Sequence, residues 1–372
     1  MSVLKQFLAQ AKRSPVKGIV SGNQSADMDS AISALAYAFF STRHADPVVP
    51  IINVPRHDFR LRRDIVEWLA KFGVAEDDLW FADDLEALVA PSPRSVPLHL
   101  VDHCNLQGPE IIALVGAHKL SVVSIIDHHA DEKVFIDANP RVIGAAGSCS
   151  SRVWHYWHSV LGAEAEVPEI VELLMAPLLI DTGNMTQKVE DVDRQALAEY
   201  DEILARPTTR SVVDSVAAIR SDIYPKLKSA KKDVSGFSFE DILRKDYKQN
   251  TFGDYTIGFS SIGKSFEWIR KTFNDADIVG DLDGLATKLG LDYVIMTCSY
   301  SDKTTGEHRR DFGEYHAGGK PLDWTHAIDV LRLAPYPEVS LPRVDVWHQH
   351  DVNATRKTVV PVVHDTVLKY QK

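Results

Sequence analysis

Short apolar runs alternate with longer helical patterns through the first half of the chain, and this alternation strongly constrains the fold. The runs at 16–21, 48–54, 97–101 and 121–126 are rich in Val, Ile and Leu, and a fifth strand is predicted at 135–136. Helical patterns at 29–41, 59–72 and 84–90 separate them. Strands of this kind, with helices between them, predict a parallel sheet covered on both faces, an α/β doubly wound architecture.

The pattern changes in the second half of the chain. Three further helical stretches, at 150–161, 169–180 and 194–205, precede a charged helical segment. From residue 236 we predict strands at 252–259, 293–299 and 358–363, with helices at 266–273 and 282–289. A length of 372 residues favours two domains. We therefore predict an α/β domain over 1–205, a helical connector over 206–234, and a smaller α/β domain with a mixed sheet over 235–372.

Composition excludes several classes of protein. A formal net charge of −11 argues against a protein that binds nucleic acid with its whole surface. Three cysteines without a zinc-site spacing favour buried thiols in a reducing compartment. No apolar run reaches the ~18 residues of a membrane span, and no signal-peptide pattern opens the chain. We expect a cytoplasmic monomer, while the basic, amphipathic start leaves mitochondrial targeting as an alternative to a plain first helix.

Two acidic clusters follow predicted strands in the first domain. Asp27 and Asp29 lie between a strand and a helix expected to begin near residue 30. A helix cap explains one of these carboxylates, and a bound cation explains both if they lie on the turn. Asp102 follows the strand at 97–101 directly. Because ligands bind beyond the carboxyl ends of strands in open α/β sheets, Asp102, and likewise Asp127 after the strand at 121–126, fall where an active site is expected.

Two further motifs add imidazole and another carboxylate. Asp127, His128 and His129 follow the strand at 121–126, and a surface loop explains adjacent histidines poorly at that position. Asp181 ends an apolar helix just before Gly183, where the helix dipole disfavours a carboxylate. A positive group opposite Asp181 would remove that misfit.

The combined set of side chains predicts a metal site. Two unpaired carboxylates at ~4 Å repel by roughly 4 kcal/mol at an effective dielectric near 20. Oxygen and imidazole ligands suit Mn²⁺ or Mg²⁺, with Co²⁺ as an alternative, and the thiolates of a structural zinc site are absent from these motifs. Two divalent ions would balance four carboxylates and match the usual two-metal clamp for phosphoryl hydrolysis.

These motifs, in this order, resemble those of the DHH phosphoesterase superfamily, whose name describes the triplet Asp127-His128-His129. In the second half, Asp246-Tyr247-Lys248 and the segment 355–361, which contains Arg356 and Lys357, resemble the basic motifs of the DHHA2 domain. That domain accompanies the catalytic one in family II inorganic pyrophosphatases, fungal-type exopolyphosphatases and prune-like proteins. The resemblance spans about 22–361 and implies an active site in the cleft between the two domains.

The resemblance also implies a role for each matched residue. One metal would be held by Asn23, Asp27, Asp102 and Asp181, and the other by Asp29, Asp102, His128 and Asp181. Asp102 and Asp181 would bridge the ions, and His129 would face the phosphate. Lys248, Arg356 and Lys357 would bind phosphates from the second domain, so that domain closure would gate turnover.

The implied activity is metal-dependent release of orthophosphate from the end of inorganic polyphosphate, in which a water activated by the ions attacks the terminal phosphorus. Family II pyrophosphatases carry His where this chain has Asn23, whereas the exopolyphosphatase-like and prune-like branch has Asn. This favours polyphosphate. The alternatives are an inorganic pyrophosphatase, a prune-like nucleotide phosphodiesterase, and a degenerate polyphosphate-binding or regulatory protein.

Four remaining features stay open at this level. His308-Arg309-Arg310 and Arg56-His57 fit either an anion channel or a solvated charged turn. The stretch 147–151 fits either phosphate binding or a helix N-cap. Cys104 stands where related sequences often have Asn, and it is not assigned to the site.

Overall fold

The computed structural model describes residues 1–44, 47–208, 213–302, 304–318 and 321–370. The chain divides into two compact units, Met1–Asp233 and Val234–Lys372. Each unit contains one six-stranded sheet and its own apolar core. Among the described helices, none combines the length and apolar character that a membrane crossing requires.

The sheet of the first unit is entirely parallel, as the sequence predicts. Its strands run in the spatial order β3-β2-β1-β4-β5-β6, so the order reverses between β1 and β4. Loops leaving two such strands diverge and open a crevice at their carboxyl ends. The strands are β1 Gly18–Ser21, β2 Val48–Ile52, β3 Trp80–Phe81, β4 Val96–Val101, β5 Leu120–Asp127 and β6 Arg141–Ile143.

Helices surround this sheet, and one of them lies deep in the core. Every residue of α2 from Met28 to Ser41 is buried, because the helix packs against β2 and against two further helices, α6 and α7. The helices of the first unit are α1 Val3–Ala11, α2 Met28–His44, α3 Arg63–Lys71, α4 Leu85–Val89, α5 Pro109–Gly116, α6 Cys149–Leu161, α7 Pro168–Asp181, α8 Asp191–Ala205, α9 Val216–Ala218 and α10 Tyr224–Lys232. A π-helical turn, Ile219–Ile223, joins α9 to α10.

The segment predicted as a connector, 206–234, folds largely with the first unit. Residues 209–212 lie outside the described part of the chain. The helices α9 and α10 belong to the unit Met1–Asp233, and α10 packs against α3 and α7.

The sheet of the second unit is mixed, which confirms the predicted class. Its order is β11-β12-β10-β9-β8-β7, and β8 and β9 form its parallel pair. The strands are β7 Tyr247–Phe252, β8 Tyr255–Ile262, β9 Tyr293–Ser301, β10 His308–His316, β11 Leu333–Pro335 and β12 Val344–Gln349. The helices are α11 Phe239–Lys245, α12 Phe266–Thr272, α13 Asp275–Leu289, α14 Thr325–Leu331 and α15 Arg356–Tyr370.

Three strand predictions are wrong in place or type. Residues 135–136 form a bend and turn with Ile136 73% exposed, and the edge strand is β6 instead. The predicted strand 252–259 is interrupted by the turn between β7 and β8. Residues 358–363 lie within α15, where Val359, Val363 and Val367 recur every fourth residue and are buried. Burial of that stripe outweighs the strand preference of β-branched residues.

Candidate metal centre

The loop after β1 brings two carboxylates to the start of α2. Gly22 lies so close to this helix that a Cβ there would stand 2.5 Å from the Cβ of Ser30. Asp27 caps the helix, because its Oδ1 accepts a hydrogen bond from the Ser30 amide at 3.1 Å. The helix begins at Met28 and not near residue 30, so Asp29 lies in its first turn instead of on the preceding loop.

Asp29 is a buried carboxylate at the N-terminus of a second helix, α6. It accepts hydrogen bonds from the Ser148 hydroxyl at 2.8 Å and from the amides of Cys149 and Ser150 at 2.6 and 2.9 Å. Burial, together with the negative charge of Asp102, raises the pKa of Asp29 to about 6. In the stretch 147–151, the amides of Cys149 and Ser150 therefore donate to a carboxylate of the protein, Asp29. Ser148 is the N-cap of α6.

Asp102 stands at the centre of the cluster, directly after β4. Its φ of +62° is a left-handed conformation that a residue other than glycine seldom adopts. The Oδ2 atom accepts hydrogen bonds from the Ser30 hydroxyl at 2.6 Å and the Asn23 amide nitrogen at 2.7 Å. Burial opposes ionisation, but the hydrogen bond and charge of His128 outweigh it and hold the pKa of Asp102 below its ordinary value.

His128 points one ring nitrogen at two carboxylates. Its Nδ1–H donates to the Ala146 carbonyl at 2.9 Å, which directs Nε2 toward Asp102 Oδ1 at 3.2 Å and Asp29 Oδ2 at 3.8 Å. Burial lowers the pKa of His128, but the bond to Asp102 and the charge of Asp29 raise it to about 10. Because a metal-ligating histidine must be neutral, a cation bound at Nε2 would replace this proton and take over the neutralisation of the carboxylates.

His129 is oriented by Asp127, the last residue of β5. Its Nδ1–H donates to Asp127 Oδ1 at 2.8 Å, and the same nitrogen lies 3.6 Å from Asp102 Oδ1. The backbone amides of His128 and His129 also donate to Asp127 Oδ1. Burial raises the pKa of Asp127, but the bond from His129 outweighs it and lowers that pKa. Asp127 is thus a positioning residue that sequence reasoning left without a role.

Asp181, the last residue of α7, is coupled electrostatically to the same cluster. Burial and the negative charges of Asp29, Asp27 and Asp102 hold the pKa of Asp181 well above its ordinary value, while Lys231 acts in the opposite direction. The first unit thus brings all four predicted carboxylates and His128 within electrostatic range of one another.

The donor set fits divalent cations. Ligand atoms of Asp102, His128 and His129 lie within 4.8 Å of one another. Oδ2 of Asp127 is buried without a hydrogen-bond partner among the described residues. Oxygen and imidazole donors of this kind suit Mn²⁺ or Mg²⁺. Asn23 could bind a cation only through Oδ1, but its Nδ2 faces Asp102 at 2.7 Å while Oδ1 accepts from the Ser25 amide at 2.8 Å, so ligation of a cation beside Asp102 requires the side-chain amide to reorient.

The two basic motifs of the second unit meet at the start of α15. The Arg356 guanidinium donates to the carbonyl oxygen and to Oδ1 of Asp246, at 2.9 and 2.7 Å. Lys248 lies on β7, two residues after Asp246. Lys357 is exposed in the first turn of α15. The fold therefore joins two motifs that are about a hundred residues apart in the chain.

Comparisons with known proteins agree with this architecture. The model of the DHH family, N-terminal domain, matches residues 17–178, and that of the DHHA2 domain matches 225–366. A Schizosaccharomyces pombe protein named "Putative exopolyphosphatase" is 30% identical, over 95% of this chain and 91% of its own length. The chain belongs to the DHH phosphoesterase family.

Two other relatives of this DHH protein are informative. The Mus musculus protein named "Exopolyphosphatase PRUNE1" is 26% identical, over 95% of this chain and 76% of its own. A crystal structure described as a Methanococcus jannaschii "putative family II inorganic pyrophosphatase" matches with a TM-score of 0.58 at 16% identity, over 95% of this chain and 99% of that one. The structural likeness confirms the two-domain α/β fold.

Some features of the DHH protein lie outside the metal cluster. Arg56 pairs with Asp84 at 3.0 Å and stacks on Phe81, which makes it part of the packing around β3. Cys104 is buried and donates to the Ala130 carbonyl at 3.6 Å.

Sequence reasoning missed Asp193, which is buried and accepts hydrogen bonds from the Gly147 amide and the Ser151 hydroxyl at 2.6 and 2.7 Å. In the sequence, the spacing from Glu190 to Asp193 is typical of a helix N-terminus and could have indicated a structural role for Asp193.

Proposed function

We propose that this protein is a metal-dependent exopolyphosphatase that releases orthophosphate from the end of inorganic polyphosphate. The observation that carries the proposal is the convergence of Asp29, Asp102 and His128 beyond the strand ends, with His129 beside them. The similarity over nearly the whole chain to proteins named exopolyphosphatase supports this substrate.

Six residues are proposed to hold two divalent ions, Mn²⁺ or Mg²⁺, with Co²⁺ as an alternative. Asp102 and Asp181 would be shared by both ions, and the remaining ligands would be Asn23, Asp27, Asp29 and His128. When bound, such ions supply Lewis acidity toward phosphoryl oxygens and an activated water.

The protein's own side chains would then orient and neutralise the substrate. Because Asp127 holds the Nδ1 side of His129, the Nε2 side is directed away from that carboxylate and can donate to a phosphoryl oxygen when protonated. Lys248, Arg356 and Lys357 are proposed to bind phosphate groups, and the guanidinium of Arg356 suits a bidentate contact. No covalent intermediate is required.

The test is phosphate release from long-chain polyphosphate, tripolyphosphate, pyrophosphate and a cyclic nucleotide, each with Mg²⁺, Mn²⁺ or EDTA. Metal-dependent release from polyphosphate, with little from pyrophosphate, is the expected result. Preference for pyrophosphate or the cyclic nucleotide would assign the site to the pyrophosphatase or phosphodiesterase alternative. Metal binding with no hydrolysis would indicate a regulatory binding protein.

Matched variants connect the activity to the cluster. Asp29→Asn and His128→Gln should each lower the rate at least 100-fold, since each removes a proposed metal ligand. Asp191→Asn makes the same chemical change as Asp29→Asn at a side chain that is 96% exposed, and it should leave the rate unchanged. Full activity of Asp29→Asn or His128→Gln would refute the site assignment.

We further propose that the protein acts as a cytoplasmic monomer without nucleic-acid or membrane partners. Size-exclusion chromatography with light scattering tests the oligomeric state. Imaging of a fluorescent fusion distinguishes a cytoplasmic from a mitochondrial pool.

A further inference from the structure

A row of hydroxyl and cationic side chains crosses the second unit's sheet. The sheet face toward α15 is identified by its core, in which Phe259, Ile295 and Phe312 cluster with Val359 and Val363 of that helix. Alternate residues of a strand share a face.

By this rule, Ser261 of β8, Thr297 and Ser299 of β9, and Arg310 of β10 lie on the α15 face. The strand register places Ser261 opposite Thr297 and Ser299 opposite Arg310. The four side chains therefore form a continuous polar row beside the apolar core.

Cationic groups stand at both ends of this row. At the β7 end, the Ser261 amide donates to the Asp246 carbonyl at 2.9 Å, and Arg356 binds the same Asp246. Lys248 pairs in register with Phe259 and so shares the face. At the other end stands Arg310, three strands away from β7.

Arg310 differs from its neighbour Arg309. The Arg309 guanidinium, on the opposite face, forms an ion pair with Asp302 at 2.9 Å. Arg310 is half-buried and donates from Nε to the Val352 carbonyl at 2.7 Å, in the segment that leads into α15. No carboxylate among the described residues forms an ion pair with Arg310. Asp351 attracts its guanidinium electrostatically without pairing with it. Its terminal nitrogens are thus suited to an anionic ligand.

We propose that Arg310, with the hydroxyls of Ser299 and Ser261, forms a second anion subsite that binds phosphate groups farther along the polyphosphate chain. This subsite rests on the proposed function, and it would make the enzyme prefer long polyphosphate chains to short ones. Neighbouring strands lie ~4.8 Å apart, so the row spans about 10 Å from β8 to β10. A chain of several phosphates can contact Arg356 and Arg310 together, whereas pyrophosphate is too short to do so.

The experiment compares Arg310→Gln, Arg310→Lys and the matched control Arg309→Gln with wild type. KM and kcat are measured on long-chain polyphosphate and tripolyphosphate, and polyphosphate binding is measured by calorimetry in EDTA. We expect Arg310→Gln to raise KM for the long chain about tenfold, with kcat and the tripolyphosphate KM unchanged. Arg309→Gln should match wild type, and Arg310→Lys should stay within about threefold because lysine keeps the positive charge and can bind phosphate as a point charge.

Each outcome decides the proposal. Equal KM values for Arg310→Gln and wild type on the long chain would overturn it. Equal impairment of Arg310→Gln and Arg310→Lys would also overturn it, because Arg310 would then only position the segment around Val352. If wild type hydrolyses no polyphosphate, the proposed function fails. Calorimetry then decides the subsite separately: weaker polyphosphate binding by Arg310→Gln supports it, and unchanged or absent binding refutes it.

Discussion

Glu314 should make the second unit less stable as the pH rises toward neutrality. This carboxyl group is buried on β10, directly opposite Asp345 of β12. Burial, and to a lesser degree the charge of Asp345, raises the pKa of Glu314 from 4.5 to about 7. The folded unit therefore holds the Glu314 proton more tightly than the unfolded chain does.

The sign and size of the effect follow from proton linkage. The contribution of Glu314 to the free energy of unfolding is greatest below pH 4.5, where the group is protonated in both states, and it declines as the pH rises from 4.5 to about 7. Since one pKa unit corresponds to about 1.4 kcal/mol, the decline amounts to about 3 kcal/mol. Glu314→Gln keeps the side-chain volume without the ionisation, so the variant should equal wild type near pH 4.5 and exceed it by about 3 kcal/mol at pH 8.

The assay is urea unfolding from pH 4.5 to 8, with hydrogen–deuterium exchange of the β10 peptide as a probe confined to the second unit. Exchange is corrected for its intrinsic pH dependence. Asp345→Asn serves as a graded control, because it removes the charge of Asp345 but leaves Glu314 buried. It should reduce the loss of stability between pH 4.5 and 7 without abolishing it. A wild type and a Glu314→Gln variant that lose stability in parallel over this range would refute the reasoning.

Three further predictions concern the first unit. Gly22→Ala should destabilise the protein by about 1–3 kcal/mol in thermal or urea unfolding, because its Cβ would overlap Ser30. Gly116→Ala, with no atom near the added Cβ, should be neutral or slightly stabilising. Asn23→His should raise Mn²⁺ affinity relative to Mg²⁺ in calorimetry, since imidazole favours transition metals; an unchanged ratio contradicts its proposed role as a ligand. Asp193→Asn should lower stability by about 1–3 kcal/mol, because it weakens the bonds to Gly147 and Ser151, and unchanged unfolding would exclude that anchoring role.

The sequence predicts the first sheet well because buried parallel strands have a distinctive composition. Four of its strands lie within a few residues of their predicted positions. The order in which the strands pair, with the reversal between β1 and β4, follows from long-range packing, and no local pattern in the chain encodes it.

The second unit is harder to predict because local preference and tertiary burial disagree there. The run Thr358 to Val363 has the composition of a strand, yet the core requires its valines at helical spacing. In the candidate site, the Asp-His-His motif could be recognised because its residues are adjacent in the sequence. The hydrogen bonds from the start of α6 to Asp29 could not, because they join residues about 120 positions apart. Contacts at such separations depend on the completed fold.

The backbone of Asp102 shows how the proposed metal site places strain in the fold. A left-handed conformation at a residue other than glycine costs on the order of 1 kcal/mol or more. The carboxylate itself is stabilised, because Ser30 and Asn23 donate hydrogen bonds to it and His128 lies 3.2 Å away. Replacing Asp102 with glycine would relieve the backbone strain, but it would remove the proposed bridging ligand and the carboxylate that accepts hydrogen bonds from Ser30 and Asn23. The unfavourable backbone conformation at this position is therefore offset by the contacts that the side chain makes within the cluster, so the strain and the proposed ligand belong to the same residue.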